Sequence, residues 1–298
     1  MICVGVDAGG TATIAAVSDD GAFVREVRGA GANPTTRGVD DAAGVIAQTV
    51  RAALNGAQAG AIHVGAAGAG RAAVAARLEQ QLASAFPGAR ITVGDDASIA
   101  LRAGLPEGDG AVLIAGTGSV AYAERDGEAR RVGGLGFLAG DEGSAFWIGW
   151  QAVKLYGRVL DGRAARDETT DLVARALDAP DRDQYLDALY DAPREPATIA
   201  ALAPIIIAFA GKGNRAATKI VQAAAMELSD LMKAALRGVA LLDASPQVVL
   251  TGGLFGENSL LTFLVETRLV GDVPGVRLLK GRDEPVRGAL RCAQRGAR

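Results

Sequence analysis

The sequence predicts an α/β protein of two domains with mixed sheets flanked by helices, each domain opening on a three-stranded antiparallel meander. Three observations carry this. Residues 2–31 (ICVGVDAGGTATIAAVSDDGAFVREVRGAG) and 111–136 (AVLIAGTGSVAYAERDGEARRVGGLG) share one order: an apolar strand, a Gly-Thr turn, a second apolar strand, an Asp-Gly turn and a third strand. The landmarks recur at a constant offset, with Val6 and Val112, Thr11 and Thr117, and Gly21 and Gly127 each 106 residues apart. The length of 298 residues fits two domains at roughly 150 residues each.

After the first meander, apolar spacing predicts a helix over 39–54, a strand over 61–67, a helix over 71–85 and a short buried strand over 91–93. The Ala/Gly-rich stretch 56–70 is no low-complexity linker, because Ile62 and Val64 alternate as in a strand and 65–70 reads as a tight turn. A hinge is expected near 106–109. The second half predicts helices over 144–160, 167–177, 198–209 and 214–241, then a strand over 247–250. A last helix over 285–295 could pack on either domain. The expected division is 1–107, completed if that helix packs there by 285–298, and 108–284. Strands that alternate with helices imply mixed sheets.

Composition narrows the function. Hydrophobic residues make up 49% of the chain and the net charge is −3, which fits a globular protein without the basic surface that nucleic-acid partners demand. The longest apolar run, 199–210, is shorter than the ~20 residues of a membrane span, and Pro204 interrupts it. The N-terminus enters a strand directly, without a leader pattern. A cytoplasmic protein with no membrane partner is expected. Cys3 and Cys292 are too far apart in sequence for a CxxC motif, and His63, the one histidine, sits in a strand pattern as a packed imidazole. His-based triads, Cys–His pairs and zinc clusters are thereby excluded.

The strongest chemical signal is the pair of glycine-threonine turns, Asp7-Ala8-Gly9-Gly10-Thr11 and Gly116-Thr117-Gly118-Ser119, with Thr13 following the first. Glycines let a ligand approach the backbone and expose N–H groups, and the hydroxyls add donors. Two such hairpin tips would clamp a polyphosphate from both sides. Neither is a Walker loop or a dinucleotide fingerprint, and 211–213 lacks the residues of one. Asp7 ends an apolar strand, where it either orients Mg²⁺ through water or caps the turn. Asp95-Asp96 ends the strand ITVGDD: one is expected as a helix N-cap, the other at a strand C-terminus where catalytic groups gather. Gly140-Asp141-Glu142-Gly143-Ser144 precedes an aromatic helix; Asp141 could bind sugar hydroxyls, and Ser144 or Asp141 could cap the helix. Asn33-Pro34 is a turn signal, and Gly252-Gly253 is either a base-contacting or a plain strand–helix turn.

DAGGT at 7–11, GTGS at 116–119, GGLGFLAGDEGSAFWIG at 133–149 and TGG at 251–253 resemble the N-acetylglucosamine kinase/BadF-type ATPase family of the actin-like superfamily, from residue 4 to about residue 290. The run DDASIAL followed by VLIAGTGSV also resembles compact prokaryotic hexokinases. The resemblance implies two ribonuclease H-like domains with an interdomain cleft, binding ATP with Mg²⁺. It makes Asp96 the catalytic base beside Asp95. Phosphate contacts fall on Asp7, Gly9, Gly10, Thr11 and on Gly116 to Ser119. Sugar contacts fall on Asn33, Asp96, Gly134, Leu135, Gly136 and Asp141. The adenosine side falls on Gly252, Gly253 and Gly213, where family members carry Gly-Asp and this chain has Gly213-Asn214. The expected reaction is phosphorylation of a sugar such as N-acetylglucosamine at the 6-hydroxyl by a homodimeric enzyme. A BadF-type activating ATPase, with a cysteine-held iron–sulfur cluster, and a non-catalytic sensor are the alternatives.

Overall fold

The computed structural model describes residues 1–190, 196–281 and 283–297; Arg298, the end of the expected C-terminal segment 285–298, lies outside them. The chain divides into two compact units: Met1–Val112 joined by the segment from Leu279 onward, and Leu113–Leu278.

In the first unit β1 (Ile2–Ala8), β2 (Ala12–Asp19) and β3 (Ala22–Ala30) form the meander. There follow α1 (Pro34–Arg37), α2 (Val39–Leu54), β4 (Ala61–Ala66), α3 (Ala72–Ala85), β5 (Arg90–Asp95) and α4 (Asp96–Gly104). The sheet order is β3-β2-β1-β4-β5. β2 runs antiparallel to β1, whereas β4 is parallel to both β1 and β5. Strand alternation sorts β1 into two faces. Val4, Val6 and Ala8 pack with Ile46 and Val50 of α2 and Leu78 and Leu82 of α3. Cys3, Gly5 and Asp7 face the other way.

The second unit takes up β6 (Gly110–Ala115), which the division cuts, then β7 (Ser119–Arg125) and β8 (Glu128–Gly133). A helical stretch follows: α5 (Ala145–Leu160), α6 (Glu168–Leu177), α7 (Arg182–Tyr190), α8 (Pro196–Ala200), α9 (Ala203–Gly211) and the long α10 (Arg215–Gly238). Then come β9 (Gln247–Thr251), α11 (Leu260–Asp272) and β10 (Arg277–Lys280). The sheet order β8-β7-β6-β9-β10 repeats the topology of the first. The meander turns match as well: Asp20 and Gly21 have φ of 45° and 85°, Asp126 and Gly127 52° and 84°. Both residues of each turn are left-handed, as in a type I′ hairpin.

The last element, α12 (Pro285–Gly296), settles the open packing choice by lying on the first unit. Its Val286, Leu290 and Ala293 cover Cys3, Ala16 and Ala61. The approach needs glycine on both sides. A Cβ on Gly5 would lie 2.1 Å from the Leu290 nitrogen, and one on Gly288 1.9 Å from the Ile99 oxygen of α4. Arg291 donates to the carbonyls of Arg102 and Ala103 at 3.0 and 2.7 Å, filling acceptors at the end of α4. The segment expected as a hinge is also tied, since Arg102 donates to the Gly108 oxygen at 2.8 Å and Arg295 to that of Pro106.

Several expectations need correction. The single helix expected over 198–209 is two, α8 and α9, because Pro204 has no N–H to give and sits in the first turn of a new helix. Asp167 and Asn214, expected inside helices, are N-caps whose side chains accept from Thr170 and Ala217, whereas Ser144, one of the two residues expected as a possible cap, does cap α5 by accepting from Trp147. α7, α11 and β10 were not expected: α7 buries no residue, so it lacks the apolar stripe that marks a helix in sequence. Among the described residues no single helix is long and apolar enough to cross a membrane.

Candidate functional site

In the first unit the candidates gather at the carboxyl ends of β1, β4 and β5. Parallel pairing sets Asp7 beside Gly65 and Gly65 beside Gly94, so the strand ends line up where α/β sheets place their ligand sites. Asp95 is the N-cap of α4, its carboxylate accepting from the Ala97 N–H at 2.8 Å. Asp96 opens the helix, with its Oδ1 3.0 Å from the same nitrogen. Asp95 is thus the cap, and Asp96 is the first residue of the helix.

Asp7 is held to its proton up to about 6, chiefly by burial, then by the charges of Asp96 and Glu284. The charges of two further carboxylates therefore bear on Asp7. Glu284, the N-cap residue of α12, makes no capping bond through its side chain; sequence reading missed it because nothing local links it to a strand at the other end of the chain.

The first glycine turn is closed by Gly9 donating to the Ala12 oxygen at 2.9 Å, while Gly9 accepts from Ala32 at 2.9 Å. Gly10 and Thr11 are exposed at the tip. Gly31 passes so close that a Cβ there would lie 2.0 Å from the Gly10 oxygen. Thr13 is not part of the tip: it is fully buried, on the face of β2 with Ala15 and Val17, and its hydroxyl finds no partner among the described residues. Asn33 caps α1, its Oδ1 accepting from Thr35 at 2.8 Å. The loop after β4 lies against it: a Cβ on Gly68 would meet Thr35 Oγ1 at 2.4 Å and Asn33 Oδ1 at 2.7 Å. His63 is packed, paired through Nδ1 with Thr92 Oγ1 at 2.8 Å, and burial pulls it down to about 4.

In the second unit the other glycine turn sits on the head of α5. Gly116 donates to Gly118 at 2.9 Å, and the Gly116 and Thr117 carbonyls accept from Ala145 and Phe146 at 2.8 and 3.3 Å. Thr117 is exposed, whereas Ser119 is buried and its hydroxyl donates to the Glu142 oxygen at 2.7 Å. Asp141, in the left-handed region at φ 59°, accepts from the Ser119 N–H at 3.3 Å. Burial raises its pKa, and the Ser119 and Gly136 N–H groups pull the other way. A Cβ on Gly118 would lie 2.9 Å from Asp141 Oδ2. Asp141 therefore ties the Gly116 turn to the 133–140 loop.

That loop is anchored by Gly134 donating to the Ser119 oxygen at 2.9 Å and by Phe137 against Phe146, with centroids 5.1 Å apart. Gly134 and Gly136 have φ of 64° and 86°, and Leu135 stands 72% exposed. Gly252, at φ 106°, crosses the end of β6 where a Cβ would lie 2.3 Å from the Ala115 oxygen; Leu254 donates to that same oxygen at 3.0 Å. Gly252 and Gly253 are thereby exposed beside the Gly116 turn. Gly213, at φ 89°, makes the reversal between α9 and α10. Asn214 accepts from Ala217 at 2.9 Å and from Thr169 Oγ1 at 3.2 Å. An Asn there performs the capping task an Asp would.

The first unit thus brings together Asp7, Gly9, Gly10 and Asp96 near Glu284. The second brings together Gly116 to Ser119, Gly134 to Gly136, Asp141, Gly252 and Gly253. Among the described residues no three acidic, histidine or cysteine side chains form a direct metal cage. An oxygen-only set poor in direct ligands fits Mg²⁺, which keeps its waters and leans on phosphate. Gly10, Gly116 and Gly253 have no atom within 4 Å of where a Cβ would stand, and such open turns fit the close approach of a nucleotide's phosphates.

The chain matches the BadF/BadG/BcrA/BcrD ATPase family over residues 4–293. It is 27% identical over 235 residues to an N-acetylmuramic acid/N-acetylglucosamine kinase of Clostridium acetobutylicum, covering 78% of this chain and 77% of that one. It is 26% identical over 207 residues to an N-acetyl-D-glucosamine kinase of Dictyostelium discoideum, covering 68% and 65%. A crystal structure from Chromobacterium violaceum, described as a candidate N-acetylglucosamine kinase, superposes with a TM-score of 0.74 at 25% identity over 97% of each chain. A ROK family glucokinase from Streptomyces griseus, solved with glucose and AMPPNP, shares the fold at a TM-score of 0.58 and 18% identity, covering 99% of this chain and 100% of that one.

Proposed function

This chain belongs to the BadF/BadG/BcrA/BcrD ATPase family, and on that premise we propose that it is an ATP-dependent sugar kinase acting on the 6-hydroxyl of N-acetylglucosamine or a closely related amino sugar. The observation that carries the chemistry is Asp96 at the carboxyl end of β5, electrostatically coupled to Asp7 at the end of β1. Phosphoryl transfer asks a protein for positioning and charge stabilisation rather than covalent chemistry. Asp96 is the base that takes the proton from the attacking sugar hydroxyl. Asp7 orders the waters of Mg²⁺, which supplies charge neutralisation when bound. A cation there would offset the repulsion that Asp96 and Glu284 exert on Asp7.

Gly10 and Thr11, with Thr117 and Gly118, present backbone N–H groups to the phosphates, while Gly9, Gly116 and Ser119 use theirs in closing the two turns. Gly252, Gly253 and Gly213 give adenosine room. Asn33, Gly134, Leu135, Gly136 and Asp141 orient the sugar, with Gly68 joining them because it lies against Asn33. The named relatives support an acetamido sugar as substrate. A cytoplasmic setting follows from the ATP the reaction consumes, and the expected homodimer is checked by sedimentation.

A panel of N-acetylglucosamine, N-acetylmuramic acid, glucosamine and glucose with ATP tests the reading, with ADP and phosphosugar followed by mass. Sugar-dependent ADP release with a matching phosphosugar is expected. ATP hydrolysis without phosphosugar would point instead to the activating-ATPase reading, which Cys3, buried beneath α12, does not favour. Asp96→Asn is expected to lower kcat by about 10²–10⁴ with sugar KM little changed. Near-normal kcat in that variant would move the base elsewhere.

A further inference from the structure

The second unit holds a cavity of about 1200 Å³ that none of the residues assigned above lines. It lies along α5 and α10, which run antiparallel. Gly143, at the head of α5, sits against Ala224 and Leu228 midway along α10, whereas Thr169, beyond the tail of α5, bonds to Asn214 at the head of α10. Trp147 and Ala223 therefore mark one end and Arg158 and Arg215 the other. From 147 to 158 a helix rises about 16 Å.

The two ends differ chemically. Lys154, Arg158, Arg182, Arg215 and Lys219 line the cavity, and among the described residues none of them is in an ion pair. The acids in the lining are already engaged: Asp161 pairs with Arg163, and Asp167 caps α6. At the other end the wall is Trp147, Gln151 and Ala223, with the apolar Leu155 and Ile220 between the two ends.

The third wall, α7, is built to face this space. It buries no residue of its own and is pinned through Tyr185, whose hydroxyl donates to the Val153 oxygen at 3.0 Å and whose ring meets Tyr156 edge-on at 5.7 Å. Gly157 makes room for that hydroxyl, which would lie 2.9 Å from a Cβ there. The pin holds Arg182 and Leu186 against the cavity.

We propose that this cavity is a second ligand site, separate from the phosphotransfer site, that takes a nucleoside diphosphate. The phosphates lie among Arg158, Arg182, Arg215 and Lys219, and the base lies against the indole of Trp147. Unneutralised guanidinium groups favour phosphate, which they bind bidentately. A phosphosugar would leave the aromatic end empty. A second copy of the chain docking symmetrically would set these cations against themselves.

The test uses the full chain with the phosphotransfer site saturated by a non-hydrolysable ATP analogue. Uridine diphosphate and pyrophosphate are titrated by calorimetry and tryptophan fluorescence. Uridine diphosphate is expected to bind one site and quench Trp147, and pyrophosphate to bind more weakly without quenching. R158E/K219E is expected to weaken uridine diphosphate binding by at least about tenfold, with phosphotransfer at saturating substrates retained. Arg182→Ala, on the helix with no buried residue, serves if the double variant fails to fold. The proposal is overturned if millimolar uridine diphosphate does not bind, if it binds only without the analogue, or if the folded variants bind as the wild type does.

Discussion

Asp7 shows what a single side chain reveals before and after folding. In sequence it is a carboxylate ending an apolar run, so a cation or donors had to be near. The structure instead sets two more carboxylates, Asp96 and Glu284, around it and raises its pKa to about 6. A carboxyl with a folded pKa above its unfolded value of 3.8 makes no pH-dependent contribution below about pH 4; as pH rises to 6 the native state must ionise a group that resists it. Folding stability thus falls across that window, by roughly 3 kcal/mol for a shift of this size. Asp7→Asn should therefore melt higher than the wild type at pH 7, with the gap closing at pH 4, while turnover collapses. Equal melting temperatures at both pH values would show the burden is absent. Asp141 reads differently: its carboxylate is hydrogen-bonded to Ser119, so any hold on a sugar is added to a structural tie that sequence could not reveal.

At the level of elements, the site depends on close approaches that only glycine permits. Gly5 and Gly288 let α12 sit directly on β1 and α4, and this brings Glu284 toward Asp7. Gly288→Ala forces the helix outward, with an expected loss of about 1–3 kcal/mol in denaturant titration and a parallel fall in kcat. An unchanged kcat in a destabilised protein would separate Glu284 from the chemistry. The hairpin turns offer a cleaner comparison. Gly21 and Gly127 share nearly the same φ, and a Cβ on either would have no atom within 4 Å. Valine at either should cost about 1–2 kcal/mol through backbone strain alone, equally at both. A large difference between the two would mean the hairpins are not equivalent. These turns were legible because Asp-Gly between alternating strands has few other uses; α7 was not, because its stability comes from one tyrosine pin rather than an apolar stripe.

Across the whole molecule, one sheet topology is used twice, and the chain returns at its end to complete the first unit. Ending the chain at residue 281 would uncover Cys3, Ala16 and Ala61 and remove the Arg291 bonds to α4. Hydrogen exchange should then show protection lost in β1 and β4 and kept in β7 and β8. Loss in both sheets alike would contradict the partition into two units. By itself the sequence determined the repeated meander, both glycine turns and the acids at strand ends, because strand alternation, left-handed turns and capping are local and leave fixed spacings. Only the tertiary structure decided where α12 packs, that Glu284 joins Asp7, that Thr13 is buried while Thr11 is exposed, and that cations from three helices share a cavity. Those outcomes depend on contacts between residues far apart in the chain, which no local spacing records.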